Sequence, residues 1–360
     1  MLKKIFVSIL LIFLSILLGL TSLEITLRFT MKKNEWTITK SFNVLRNFKH
    51  TYSIEKLYDS DDTYVSYERN NYGLRDDCDN IKSINILTIG GSTTDQKYVD
   101  LEYTFQSELG RLISKRVGKK ICVSNAGIDG HSSYGHILSF KHWLPLIKDL
   151  KPKYILLYIG INDANFELNI TSKDLNYSGG DFKSFVRQLY IVQELLPLYR
   201  YVRDGISNKG YKYASHNPKK YSIKDYKITK INKETPSKAE RNSKIFEKRL
   251  IEILKHIYAL ESKPICVTQP HLFVKKQNLN YVGLPNIINN YSGLDFDYSL
   301  NLINEIMKKH CNDGYIEISK EDFTNLHFYD GIHTTKEGSL LLGKKIFEKM
   351  IFQKKIEIFR

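Results

Sequence analysis

Cysteine is scarce in this sequence, and its four copies, Cys78, Cys122, Cys266 and Cys311, are far apart. Structural zinc sites are built from closely spaced pairs of thiols or imidazoles, so this spacing excludes the usual metal scaffolds, and neither metal nor cofactor is expected. Acidic residues are also short, with 39 Asp and Glu against 54 Lys and Arg and a formal charge of +15. That balance favours an anionic partner such as an acidic glycan or a phospholipid surface. The lysines are spread along the chain without a zinc-finger or helix-turn-helix pattern. Nucleic acid is therefore set aside, and a solvated basic surface is the expectation.

Long apolar runs are missing everywhere except at the start. Lys3 and Lys4 precede an uncharged stretch from Ile5 to Leu20, which Thr21, Ser22 and Leu23 extend before Glu24. This is about the minimum length that crosses the hydrocarbon core of a bilayer. No small-x-small cleavage site follows it, and no cysteine near its end suggests lipoprotein processing, so residues 1–30 read as an uncleaved anchor. Arg28, Lys32 and Lys33 lie just beyond the span and weaken the positive-inside argument made by Lys3 and Lys4. The short basic head still resembles a secretory one, which places the body on the periplasmic side of an inner membrane. In such an oxidising compartment Cys78 and Cys311, both in polar segments, could pair, while Cys122 and Cys266 read as small buried hydrophobes.

With 42% hydrophobic residues, a chain of 360 can bury a substantial core. Short apolar runs alternate with amphipathic segments, the pattern of parallel strands joined by helices. The candidate strands are Ile84–Ile89, Ile121–Ser124, Tyr154–Ile159, Pro264–Thr268 and Tyr315–Ile318. Phe105, Leu109, Leu112, Ile113 and Val117 recur at helical spacing between the first two. A second crossover runs from Tyr134 to Leu150, where Pro145 should kink or restart it, and Leu340, Phe347, Met350 and Ile351 mark a terminal helix. Right-handed crossovers then give an α/β, three-layer sandwich around a central, mostly parallel five-stranded sheet.

Two stretches break the alternation. Residues 31–80 read as a membrane-proximal arm that packs on the domain or spaces it from the membrane. Residues 166–261 form an insertion into a domain spanning 81–360, with helices expected at Asp181–Val202 and Arg241–Leu260. Between them lies a Lys- and Tyr-rich loop, 205–237, read as a solvated insertion or, more sharply, as a lid over an anionic or sugar substrate.

Chemistry collects behind the strands. The first is followed by "GGST", the second ends in "SNAGIDGHSS", the third in "YIGINDAN", and the fifth leads to "FYDGIHTTKEG". Ligands of open parallel sheets bind at the carboxyl ends of the strands, so Ser92, Gly127, Asn162, Asp330 and His333 should meet on one edge. A serine needs a base, a histidine supplies one, and a carboxylate three residues upstream can hold its tautomer. The backbone N–H of Ser92, the N–H of Gly127 and the amide of Asn162 could serve an oxyanion. Asp95 and Asp163 read as helix-start or turn carboxylates, and His131 and His136 as capping or packing histidines. His271, behind the fourth strand, faces the same edge and reads either as a substrate contact or as a loop histidine.

Taken together, "GGST", "NAG", "GIND" and "DGIH" resemble the four blocks of the SGNH hydrolase superfamily, the GDSL-type esterases and lipases. The resemblance runs from about Ile81 to the C-terminus, outside the insertion, with Gly91 where the family usually has aspartate. It implies a flavodoxin-like fold, Ser92, His333 and Asp330 as triad, and Ser92, Gly127 and Asn162 as oxyanion donors. "NNYGLRD", Asn70 to Asp76, also resembles a segment of membrane-anchored members, which often modify envelope polysaccharides. The implied activity is removal of an O-acyl group, such as acetyl, from an envelope carbohydrate. An O-acetyltransferase, a lysophospholipase or thioesterase acting on lipid, and a noncatalytic tethered binding protein stay open as alternatives.

Overall fold

The computed structural model describes residues 2–30, 36–40, 42–164, 211–228, 230–277, 280–287 and 291–359, together with 189, 191, 192 and 195. Helix α1, Leu2–Thr30, contains the apolar stretch, and its segment Lys4–Leu27 is long and apolar enough to cross a membrane or to act as a signal sequence. Its large apolar side chains from Ile5 to Leu23 are exposed, so the body of the protein does not bury them. Ser15 and Thr21 turn their hydroxyls back onto the carbonyls four residues earlier, at 2.8 Å each, which leaves fewer polar groups for an apolar medium to desolvate.

A short helix, α2 (Thr37–Lys40), leads into a hairpin of β1 (Phe48–Ser53) and β2 (Tyr64–Arg69). The parallel sheet follows with β3 (Ile84–Gly90), the turn helix α3 (Ser92–Asp95), α4 (Phe105–Val117), β4 (Cys122–Asn125), α5 (Ser133–Leu138) and β5 (Tyr154–Tyr158). Beyond it come β6 (Lys212–Tyr213), α6 (Thr235–Ala259), β7 (Lys263–Val267), the hairpin β8 (Val274–Gln277) and β9 (Asn280–Gly283), α7 (Gly293–Cys311), β10 (Tyr315–Ile316) and α8 (Lys336–Phe352).

The central sheet has the order β10-β7-β5-β3-β4, and every pairing in it is parallel. Both faces are covered, as an all-parallel sheet requires. Leu87, Ile155, Leu157 and Cys266 pack with Ile137, Phe246, Leu250 and Ile303 of α5, α6 and α7 on one face. Ile86, Leu156, Ile265 and Val267 pack with Leu109, Ile113, Leu342 and Ile346 of α4 and α8 on the other. The three-layer α/β architecture expected from the alternation is therefore the one observed.

The second crossover breaks where proline predicts. Helix α5 passes into one π turn, Ser139–Trp143, and a 3₁₀ turn, Leu144–Leu146, with Pro145 inside the latter because it lacks an N–H and its ring crowds the preceding turn. Helix α6 starts six residues ahead of the expected Arg241. The helix expected at 181–202 lies outside the described residues except for 189, 191, 192 and 195.

The cysteine expectation is corrected. Cys78 pairs with Cys122 and Cys266 with Cys311. Cys78 lies beside the start of β4, and Cys311 ends α7 on the face where Cys266 of β7 points into the core, so the partner of each polar-segment cysteine is an apolar-run one. Burial of Cys122 and Cys266 was read correctly; it does not keep a thiol free.

The arm and the insertion meet. Strand β1 pairs antiparallel with β2 on one side and parallel with β6 on the other, forming a second, three-stranded sheet. Its inner face, with Tyr52, Val65 and Tyr67, packs with Tyr98 and Tyr329 into a small aromatic core.

Candidate active site

Strand β3 ends at Gly90, and Ser92 opens α3, so the serine stands at the carboxyl edge of the sheet on a helix start whose first N–H groups lack intrahelical acceptors. His333 Nε2 is 2.7 Å from Ser92 Oγ, and His333 Nδ1 is 2.7 Å from Asp330 Oδ2. A carboxylate only accepts, so Nδ1 carries the proton toward Asp330 and Nε2 is left to accept from Ser92. Asp330 Oδ1 also accepts from the backbone N–H groups of His333 and Ile332, at 2.9 and 3.2 Å. Burial pushes the Asp330 carboxyl up, but the hydrogen bonds and charge of His333, with those two amides, outweigh it and hold the group below the ordinary aspartate value. The result is a charged carboxylate locked against the imidazole.

Asn162, behind β5, sends its Nδ2 to the carbonyl of His131 at 2.8 Å. A Cβ on Gly91 would stand 2.8 Å from that same Nδ2, which places the amide beside the Ser92 turn with its second N–H still to give. Gly127 is placed differently. Its N–H donates to Asn125 Oδ1 at 2.8 Å and its carbonyl accepts from Arg69, so the backbone at 127 is committed inward. A Cβ there would come 2.5 Å from the backbone nitrogen of Asp95, and glycine is needed for packing against the helix that starts at Ser92. The glycine that stands open is Gly130, three residues on in the same loop. It has φ +81°, no neighbour around its Cβ position, and an N–H without an acceptor among the described residues, next to the His131 carbonyl that Asn162 holds. The run "NAGIDG" contains both glycines, and only the turn geometry separates them.

His271 is not at the cleft. It is buried, its Nε2 faces Asp297 at 3.1 Å, and its Nδ1 accepts from the Phe273 N–H, so both ring nitrogens are used internally. The residue of "TQPHLF" that reaches the site is Gln269, which donates to Thr93 Oγ1 at 2.7 Å and accepts from the Ile161 N–H at 2.8 Å, tying the serine turn to the Asn162 turn. Asp163 accepts from the backbone and hydroxyl of Ser133 at the start of α5, the turn role expected of it. His131 and His136 are buried packing residues.

Asp95 does more than cap. Its Oδ1 takes Arg69 Nη2 at 2.6 Å and Tyr67 Oη at 2.8 Å, and all three side chains are buried. Arg75, from "NNYGLRD", donates to the carbonyls of Asp95, Gln96 and Val99. Two arginines of the arm thus brace the backbone that carries Ser92.

The insertion supplies a residue that sequence spacing could not find. His216 lies with its ring centroid 4.6 Å from that of His333, its Nδ1 3.0 Å from Tyr329 Oη and 3.9 Å from Asp330 Oδ2. Burial, then the neighbouring charge of His333, lowers its pKa, so it stands neutral at pH 7. The ligand atoms of His216, Asp330 and His333 all lie within 4.8 Å of one another, which makes this trio the one group among the described residues able to hold a metal ion.

No known family profile matches the chain, and no curated protein sequence does. Solved structures do. An acetyl xylan esterase, AlAXEase, aligns at 12% identity and TM-score 0.39 over 74% of this chain and 98% of its own. An acetyl xylan esterase from Geobacillus stearothermophilus aligns at 14% identity and TM-score 0.41, over 74% and 96%. A lipolytic protein of the G-D-S-L family from Desulfitobacterium hafniense aligns at 11% identity and TM-score 0.39, over 73% and 98%.

Proposed function

We propose that this chain is a membrane-anchored serine hydrolase of the SGNH type that removes O-acyl groups, acetyl above all, from a cell-envelope carbohydrate. The observation that carries the reading is the unbroken relay Ser92 Oγ, His333 Nε2, His333 Nδ1, Asp330 Oδ2, with 2.7 Å at each hydrogen bond. Ser92 attacks the ester carbonyl while His333 takes its proton, and Asp330 steadies the imidazolium that forms. The ring then protonates the departing sugar oxygen, leaving an acyl-serine. Water, deprotonated by the same His333, attacks the acyl carbon and frees the acid and Ser92.

The oxyanion of each tetrahedral intermediate is assigned to the N–H of Ser92, the free N–H of Asn162 Nδ2 and the N–H of Gly130, in place of Gly127. The two disulfides support a body on the oxidising side of the membrane, and the charge of +15 suits an anionic envelope polymer.

The test uses the purified full chain. An activated phosphonate should label Ser92, detected by mass spectrometry of the peptide, and acetylated envelope glycans should release acetate. Ser92→Ala should abolish both with an unchanged circular-dichroism spectrum, and Asn162→Ala should lower kcat by about a hundredfold or more. An unlabelled wild-type protein would sink the hydrolase reading.

A further inference from the structure

We infer that His216, Asp330 and His333 together form a binding site for one divalent transition-metal ion, zinc by its donor set, and that the ion switches the hydrolase off. His216 Nδ1 and His333 Nδ1 approach the same oxygen, Asp330 Oδ2, at 3.9 and 2.7 Å. Two imidazole nitrogens and one carboxylate oxygen are the donors of an open zinc site, with the fourth position left to water. Hard cations such as calcium and magnesium prefer all-oxygen sites, so they are the wrong class here. Zinc needs ligand distances of about 2.0–2.2 Å, and donors arranged tetrahedrally around it stand roughly 3.3 Å apart. To reach that spacing the short contact opens and the long one closes by similar small amounts, and the two imidazoles, whose donor atoms lie within 4.8 Å, turn toward the shared position. All three side chains are partly solvent-accessible, so an ion can enter.

The consequence for chemistry follows from the imidazole tautomer. Zinc on His333 Nδ1 uses the lone pair of that nitrogen, so the single proton of the neutral ring moves through solvent to Nε2. Nε2–H can donate to Ser92 Oγ but can no longer accept from it, and the serine loses its base. Asp330 meanwhile turns from proton acceptor into metal ligand. His216 is the one member of the trio that the hydrolytic relay does not use, and it arrives from the insertion, more than a hundred residues before its partners. That places a metal-responsive element on a segment outside the parallel-sheet scaffold.

The binding claim stands apart from the hydrolase reading, whereas the inhibition claim rests on it, so the two are measured separately. Calorimetric titration of chelator-stripped full chain with zinc chloride, on wild type and on Ser92→Ala, should give one ion per chain in both. His216→Ala should weaken binding by more than the ten- to hundredfold that loss of a mere outer partner costs, and His216→Cys, which restores a zinc ligand, should recover it. Zinc should inhibit ester hydrolysis by the wild type, chelator should reverse this, and His216→Ala should shift the inhibitory concentration by the same factor as the affinity. Equal zinc affinity in wild type and His216→Ala, with His216→Cys no tighter, overturns the site. Binding without inhibition overturns the switch and leaves the site.

Discussion

The arm and the insertion both interrupt the strand-helix alternation, and both end up gripping the candidate site at the carboxyl edge of the main sheet, but by different physics. The arm holds the nucleophile turn through buried charge: Arg69 and Asp95 have side chains 1% and 3% exposed and meet at 2.6 Å. The insertion holds the Asp330–His333 loop through half-buried rings and single neutral hydrogen bonds, such as Tyr221 Oη to the Asp330 carbonyl at 3.2 Å and the Lys219 N–H to the Tyr329 carbonyl at 2.6 Å. A buried ion pair is all-or-none, because either partner left alone is an uncompensated charge in a dry place. Neutral contacts at a wet rim can be altered one at a time. The Ser92 half of the site is therefore built into the fold, and the Asp330–His333 half is the adjustable one.

The largest expected effect breaks the arm's grip. Arg69→Met strands Asp95 and should destabilise the protein by about 3–5 kcal/mol in urea unfolding, with loss of esterase activity because Asp95 ends the helix that starts at Ser92. Arg69→Met combined with Asp95→Asn removes both charges and should recover part of that stability. A single variant as stable as wild type would show that the pair is not what fixes the turn.

Parts of this contrast were legible and parts were not. The alternation in "YVSYER" puts Arg69 on the same face as the buried Val65 and Tyr67, so a charge on an apolar face was visible in the sequence, although its partner was not. Ser92, Asp330, His333 and Asn162 were legible because strand ends in a parallel sheet converge whatever lies between them. Gly127 and Gly130 could not be separated, since the choice depends on which N–H the loop turns inward. His216 was invisible because no periodicity or spacing links it to Asp330; the pairing of β6 with β1 and the hydrogen bonds of Ser215 with Tyr98 and of Lys219 with Tyr329 carry it there.

An intermediate effect concerns pH, and it falls on the arm. His131 Nε2 bonds the carbonyl of Phe42, from the arm, at 2.8 Å, while its buried Nδ1 has no partner among the described residues, so the neutral ring is the one that fits. Burial, only partly offset by the Phe42 bond, lowers its pKa to about 4. The unfolded chain, with histidine near 6.5, takes up the proton first as pH falls, so stability is full above that value, declines between about 6.5 and 4, and levels off below. The loss is of order 3 kcal/mol, and His136, lowered by burial and then by His131, adds in the same direction. Urea midpoints at pH 7 and pH 5 should show the slope in wild type and a shallower one in His131→Gln; equal slopes would remove His131 from the account.

The smallest effect sharpens the other side of the comparison. Tyr221 is half-buried, packs close to Gly331, and gives its hydroxyl to the carbonyl of Asp330, so it touches the catalytic loop from the insertion without touching the triad side chains. Tyr221→Phe keeps the ring and its packing and removes one neutral hydrogen bond, worth about 0.5–1.5 kcal/mol. The loop keeps the Tyr329–His333 and Leu272–Gly331 backbone hydrogen bonds when that donor is lost, so it should relax rather than collapse. Esterase kcat/KM should fall less than tenfold, and urea stability should drop by about 1 kcal/mol. A loss beyond a hundredfold in kcat with stability unchanged would mean that the insertion fixes the reacting geometry as tightly as the arm does, and the division between a built-in half and an adjustable half would fail.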